Sequence, residues 1–179
     1  MKPLYSSLLA LTFVLLTYVI GAAQQSKPSD PEYIGVIYYL DPSAKLLSLD
    51  RQIPHPKASL RAFGFGGAKA VVELDAERAS LRVPSNQEVR FVVELARGVD
   101  PREFRLYPLV VRNGKRQLVI NSGGIFGEPH MLLPIQINIS RHGARAYKIT
   151  PGSKLAEGEY AFMGEGSTEV FCFGVDRKK

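Results

Sequence analysis

Cysteine occurs once in this chain of 179 residues, at Cys172, and tryptophan not at all. A single thiol excludes an internal disulfide framework, so the fold must be held by its apolar core. Flanked by Phe171 and Phe173, Cys172 reads as a small buried residue rather than a nucleophile, because no His or basic residue lies near it in sequence. Histidine is nearly as scarce. His55, His130 and His142 stand far apart without ligand spacing, which argues against a bound metal, and no cofactor is expected. No Gly-x-Ser-x-Gly elbow occurs, and Asp75 and Glu77 read as solvated turn residues. Helical apolar periodicity is not sustained for three turns anywhere after residue 33, and there is no fixed-period repeat.

What is present starts with an address. Lys2 precedes a nearly unbroken apolar run from Leu8 to Ile20, followed by Gly21-Ala22-Ala23 and polar Gln24-Gln25-Ser26-Lys27. That order reads as a signal peptide over residues 1–23, so the chain is expected to be exported to the periplasm or the exterior. Residues 4–23 approach the roughly 20 that span a bilayer, and an uncleaved anchor helix is the alternative. Membrane contact is expected only through that segment, and with no cysteine near residue 23 no lipid can attach there. Residues 24–32 read as a polar, proline-containing linker and 33–179 as one domain. A mature chain of this size can bury roughly 68–70% of its unfolded surface around a single core.

Lys and Arg outnumber Asp and Glu by 23 to 17. Lys2 leaves with the leader, which lowers the net charge from +6 to +5. The charges are spread along the chain except for Arg112, Lys115 and Arg116 around a turn, with Arg102 and Arg105 upstream. Basic clusters can hold anionic partners, but no aromatic platform is interleaved here, so nucleic acid is not an expected partner. The cluster serves solubility and is a candidate partner contact.

Period two dominates the rest. Ala68, Ala70, Val72 and Leu74 alternate with Lys69, Val71 and Glu73; Ala79, Leu81 and Val83 with Ser80 and Arg82; Val89, Phe91, Val93 and Leu95 with Arg90, Val92 and Glu94; Ile135, Ile137 and Ile139 with Gln136, Asn138 and Ser140. Successive strand residues face opposite ways, so each segment is expected to offer one face to a core and one to water, as in antiparallel sheet. Asn113-Gly114 marks a hairpin between Leu106–Arg112 and Lys115–Ile120. Asp41-Pro42-Ser43 links Tyr33–Leu40 to Lys45–Leu49, and Asp100-Pro101 opens a single helical turn. Pro108 lacks a backbone donor, which places its strand at a sheet edge or a bulge. Nine or ten short strands of this kind predict an all-β, antiparallel two-sheet sandwich.

Leu155-x-x-Gly158-x-Tyr160 resembles the tyrosine corner of immunoglobulin-like domains. The resemblance implies an immunoglobulin-like sandwich in which the Tyr160 hydroxyl bonds back to nearby backbone, with Gly158 and Tyr160 in structural roles. Phe162 stands where antibody domains place a cysteine, so the disulfide form is absent. The order of motifs, from Tyr38-Tyr39-Leu40-Asp41-Pro42 to Phe171-Cys172-Phe173-Gly174-Val175-Asp176, is also similar to exported bacterial proteins, a likeness that implies no activity.

Arg141-His142-Gly143-Ala144-Arg145 resembles the Arg-His-Gly-x-Arg motif of histidine acid phosphatases. Carried over, His142 would be the nucleophile and Arg141 and Arg145 the phosphoryl clamp. The motif falls in the last quarter of a β pattern, however, and lacks the family's proton-donor element, so it reads first as a hairpin loop turned at Gly143. Phe63-Gly64-Phe65-Gly66-Gly67 and Gly123-Gly124-Ile125-Phe126-Gly127 precede no helix and therefore read as loops rather than phosphate cradles. Phe63, Phe65 and Phe126 are partner-binding candidates beside the basic cluster. The expectation is a non-catalytic exported module acting through contacts with a protein partner at the cell envelope, or as a structural part of it. A small-ligand or glycan-binding sandwich is the alternative, and the phosphatase a remote one.

Overall fold

The computed structural model describes residues 30–60, 68–122 and 133–177. The signal or anchor segment and the loops carrying Phe63, Phe65 and Phe126 lie outside the described residues. Two sheets account for the strands. The smaller contains β1 (Ile37–Leu40), β2 (Leu46–Ser48), β7 (Phe91–Glu94), β10 (Ile137–His142) and β11 (Ala146–Pro151), in the order β10-β11-β7-β1-β2. The larger contains β3 (Asp50–Gln52), β4 (His55–Leu60), β5 (Ala68–Leu74), β6 (Arg82–Pro84), β8 (Phe104–Arg112), β9 (Lys115–Ser122), β12 (Gly158–Gly164) and β13 (Val170–Asp176). Its order is β3-β13-β12-β8-β9-β5-β4, with β6 also on β13. Every named pairing is antiparallel except β6 with β13. The described residues hold no α-helix, only the turn Pro101–Glu103, capped by the Asp100 carboxylate accepting from the Arg102 N–H at 2.9 Å.

The alternating apolar residues meet between the sheets. Phe91 of the smaller sheet is fully buried against Phe162 and Phe173 of the larger, with ring centroids 4.9 and 4.7 Å apart. Ile37, Val93, Leu106, Ile149 and Val175 are among the other buried residues of this core. A second cluster joins strands of the larger sheet to one another: Val72 and Leu74 of β5, Leu118 of β9, Leu109 of β8, Ala161 of β12, Val170 and Cys172 of β13. Strands that are not neighbours can share a cluster on one face only if the sheet bends round it. The larger sheet is therefore curled into a half-barrel with an apolar filling of its own. Cys172 lies in that filling, fully buried, and burial pushes its thiol up to about 12.

The second cluster revises the expectation of one wet face per strand. Val71 and Glu73, expected to face water, are buried along with Val72 and Leu74, and β7 is buried throughout. His55, expected in an extended loop, lies in β4, with its side chain exposed on that edge strand. The strand expected from Tyr33 begins at Ile37; Tyr33 and Ile34 are exposed, and the Gly35 N–H donates to the Glu94 carbonyl at 2.7 Å.

Pro108 corrects a finer expectation. Its strand, β8, is interior, flanked by β12 and β9. The Leu106 carbonyl accepts from the Ile135 N–H at 2.7 Å, so even-numbered residues of β8 point to the β9 side. On that side the ladder to β9 begins only at Val110. No described residue pairs with Pro108 on that side, between Ile135 and β9, so its missing donor leaves no described ladder bond unmade.

The Tyr160 hydroxyl donates to the Ala156 carbonyl at 2.8 Å, across the chain that leads into β12. Burial raises the Tyr160 pKa. Tyr160→Phe deletes the bond while keeping the ring stacked 5.4 Å from Phe173. A loss of about 1 kcal/mol is expected in urea unfolding, with an unchanged m-value.

Candidate contact surface

The hairpin β8–β9 turns at Asn113 and Gly114, whose φ of 53° and 73° match the two-residue turn that suits strand twist. Cross-strand partners share a face, so Val110 stands beside Gln117 and Val111 beside Arg116. Val110 is 45% exposed and Val111 46%, on opposite faces of one strand, and Arg112 at the tip is exposed. Two valines side by side in a strand cannot both enter one core. The run Leu109-Val110-Val111, where strict alternation breaks, was the signal that could have singled them out.

The basic cluster is not a single surface. Lys115 reaches Glu73 at 3.8 Å and Asp75 at 3.7 Å, and Arg116 is 0% exposed. Arg116 was expected among the surface contacts; its parity with Leu118 two residues on carries it to the inner face of the half-barrel instead. There its Nε donates to the Ala76 carbonyl at 3.2 Å, and its Nη2 to the Asp75 carbonyl at 2.8 Å and to Asp50 Oδ2 at 3.3 Å. Its Nη1 lies 3.9 Å from Glu159 Oε2 and has no hydrogen-bond partner among the described residues.

Glu159, also buried, ties this arginine to a second one. Its Oε2 accepts from the Ala79 N–H at 2.8 Å and its Oε1 from Arg82. Arg82 grips Asp176 through Nε at 3.0 Å and Nη2 at 2.6 Å, and Arg78 adds a bond at 2.9 Å. The guanidinium has room because residue 174 is glycine: a Cβ there would lie 1.6 Å from Arg82 Nη1. One chain of alternating charge, Asp50–Arg116–Glu159–Arg82–Asp176, thus pins β3, β9, β12, β6 and β13 beneath the hairpin.

The two arginines hold the Asp176 carboxyl below the usual carboxylate range, the Arg82 hydrogen bonds contributing most. A depressed folded-state pKa contributes stability above the unfolded value, near 3.8, and that contribution is lost as pH falls through the lower folded value. Melting temperature is therefore expected to fall on acidification below about pH 4, and less steeply in Asp176→Asn, as followed by circular dichroism across a pH series.

The other expected residues are spread out. Gly158 and Tyr160 sit at the start of β12. Arg141 stacks on Tyr147, 4.8 Å from the ring centroid, while Arg145 pairs with the buried Glu94 at 3.0 Å. Arg141 and His142 are consecutive strand residues and point to opposite faces, so the three side chains do not converge on one phosphoryl-sized space. Two shallow clefts of about 350 and 400 Å³ flank Gln87 and Glu88. Ser153, Lys154 and Leu155 border one, and Asp41, Pro42 and Arg90 the other; no aromatic ring and none of the expected site residues lines either. Comparison with protein-family models, curated proteins and solved structures finds no match.

Proposed function

We propose that this chain is an exported, non-catalytic, immunoglobulin-like sandwich module that acts through protein contacts at the cell envelope or exterior, with the tip of β8–β9 as its contact surface. One observation carries the reading: Val110 and Val111 are adjacent and nearly half exposed, on a hairpin whose base is fixed by a buried charge network. Rigid apolar groups gain most on contact because little side-chain freedom is lost. Valine has a single side-chain torsion, stiffened by branching. Arg112 beside them, with no ion pair among the described residues, supplies the residue type that interfaces favour over lysine. The Tyr160 bond to Ala156 supports the immunoglobulin-like reading, since it is the contact a tyrosine corner makes.

The test places a photo-activatable residue at position 111, and at exposed Glu157 as control, in the cell that makes the protein. A discrete adduct from 111 that disappears in Val110→Asp, with none from 157, is expected. Identical adducts at both positions, or none at 111, contradict the assignment. The N-terminal residue of recovered protein tests export: Gln24 in a soluble fraction means cleavage and release, and Met1 in membranes means tethering.

A further inference from the structure

We propose that strand β10 pairs edge to edge with β10 of a second copy of this chain, across a two-fold axis through Ile139. This surface is separate from the hairpin tip, and the proposal does not depend on the reading of that tip.

The direction of each backbone group on β10 follows from two hydrogen bonds. The Gly152 N–H donates to the Gln136 carbonyl at 2.7 Å, which turns even-numbered residues of this strand toward β11. The Ile135 N–H leaves in the opposite direction, to Leu106 of the other sheet. Ile137, Ile139 and Arg141 therefore aim their N–H and C=O groups away from β11, and no described residue pairs with them. Unpaired strand edges invite pairing, and proteins usually blunt them with shortness, proline or lysine. The other edges here carry such devices. β2 and β3 have three residues each, β6 has three with Pro84 among them, and β4 contains Pro56 and Lys57. β10 has six residues and neither proline nor lysine.

Its sequence is self-complementary in the antiparallel sense. With Ile139 opposite Ile139 of the second copy, each outward residue donates one bond and accepts one. Ile137 then faces Arg141 of the second copy, and Asn138 faces Ser140. No like charges stand directly opposite, because each Arg141 meets an isoleucine and is already drawn over Tyr147. Asn138 and Ser140 are exposed and form polar cross-strand pairs on the outer face, while Ile137 and Ile139 stay packed on the core. A second copy thus matches both faces of the edge at once and joins the two smaller sheets into one.

In this register Asn138 and Ser140 of the second copy occupy a non-hydrogen-bonded pair, whose Cα separation of about 4.5 Å suits a disulfide. Two differently tagged full-length chains, one Asn138→Cys and one Ser140→Cys, are made together in the producing cell and mildly oxidised. Buried Cys172 is a poor competitor. The expected result is a mixed covalent dimer, cleaved by reductant, at least tenfold above the like-with-like dimers. It is lost when Arg141→Pro, which removes an outward donor without breaking a bond to β11, is added to both chains. Absence of the mixed dimer, or equal yields from all combinations, overturns the proposal. Amide exchange guards against misfolded variants. In the unaltered chain the amides of Ile137, Ile139 and Arg141 are expected to be protected, and to lose protection on dilution. Fast exchange at every concentration, or protection that dilution does not change, overturns the proposal equally.

Discussion

Glu159→Ala is expected to destabilise the fold by about 3–5 kcal/mol, the range found when one partner of a buried ion pair is removed. The carboxylate lies between Arg82 and Arg116 and also accepts the Ala79 N–H. Among the described residues, its loss leaves fully buried Arg116 with Asp50 as its one carboxylate, Arg82 with Asp176 alone, and the Ala79 N–H without its acceptor. For a domain of this size the melting temperature falls on the order of 10 °C, measured by calorimetry or circular dichroism. Gly174→Ala reaches the same network from the strand beside it. A Cβ 1.6 Å from Arg82 Nη1 forces the guanidinium off both carboxylates, and a loss of about 2–3 kcal/mol is expected by urea unfolding. The two losses should be well short of additive when combined, because both break the same contacts. A near-additive double variant would show that Glu159 and Arg82 do not act as a unit.

Phe91→Ala carries the other large effect, about 3–5 kcal/mol. The ring is fully buried and touches Phe162 edge-on, Phe173 at a tilt and Tyr39 at 6.2 Å, so its removal opens a cavity where the two sheets meet. Phe91→Leu fills most of that space and is expected to lose less than half as much. Equal losses in the two variants would mean that the ring is not enclosed between the sheets.

These two predictions separate what was legible in the sequence from what was not. Val89, Phe91, Val93 and Leu95 follow period two, and their common side could be read directly because burial of one face fixes the strand's register. The turn at Asn113-Gly114, the cap at Asp100 and the Tyr160 bond are local events that a few residues specify, and each is found where it was expected. The curl of the larger sheet is not local. It requires β5 and β9 to meet β13 from strand positions far apart in sequence, and no short pattern encodes that approach. Every misplacement in the candidate site follows from it. Arg116 was assigned to water by residue type, although its parity with Leu118 pointed inward. Glu73 and Val71 were assigned to a wet face that the fold buries. The need for glycine at 174 could not be read locally, because the group occupying its missing side chain, Arg82, lies more than 90 residues away in sequence. The hairpin tip was legible in part: Asn113-Gly114 located it, but its basic residues drew attention from the two valines that are exposed there.

Arg116 lies inside the half-barrel, bonded to the Ala76 and Asp75 carbonyls and to Asp50, and these bonds anchor the base of the hairpin above it. The direct measurement is hydrogen exchange at the Arg116 Nε–H in nitrogen-15-labelled protein at neutral pH. A proton at least a hundredfold longer-lived than that of a free arginine, with a nuclear Overhauser contact to the Cys172 side chain, is the predicted result. Exchange at the free rate with no such contact would contradict it.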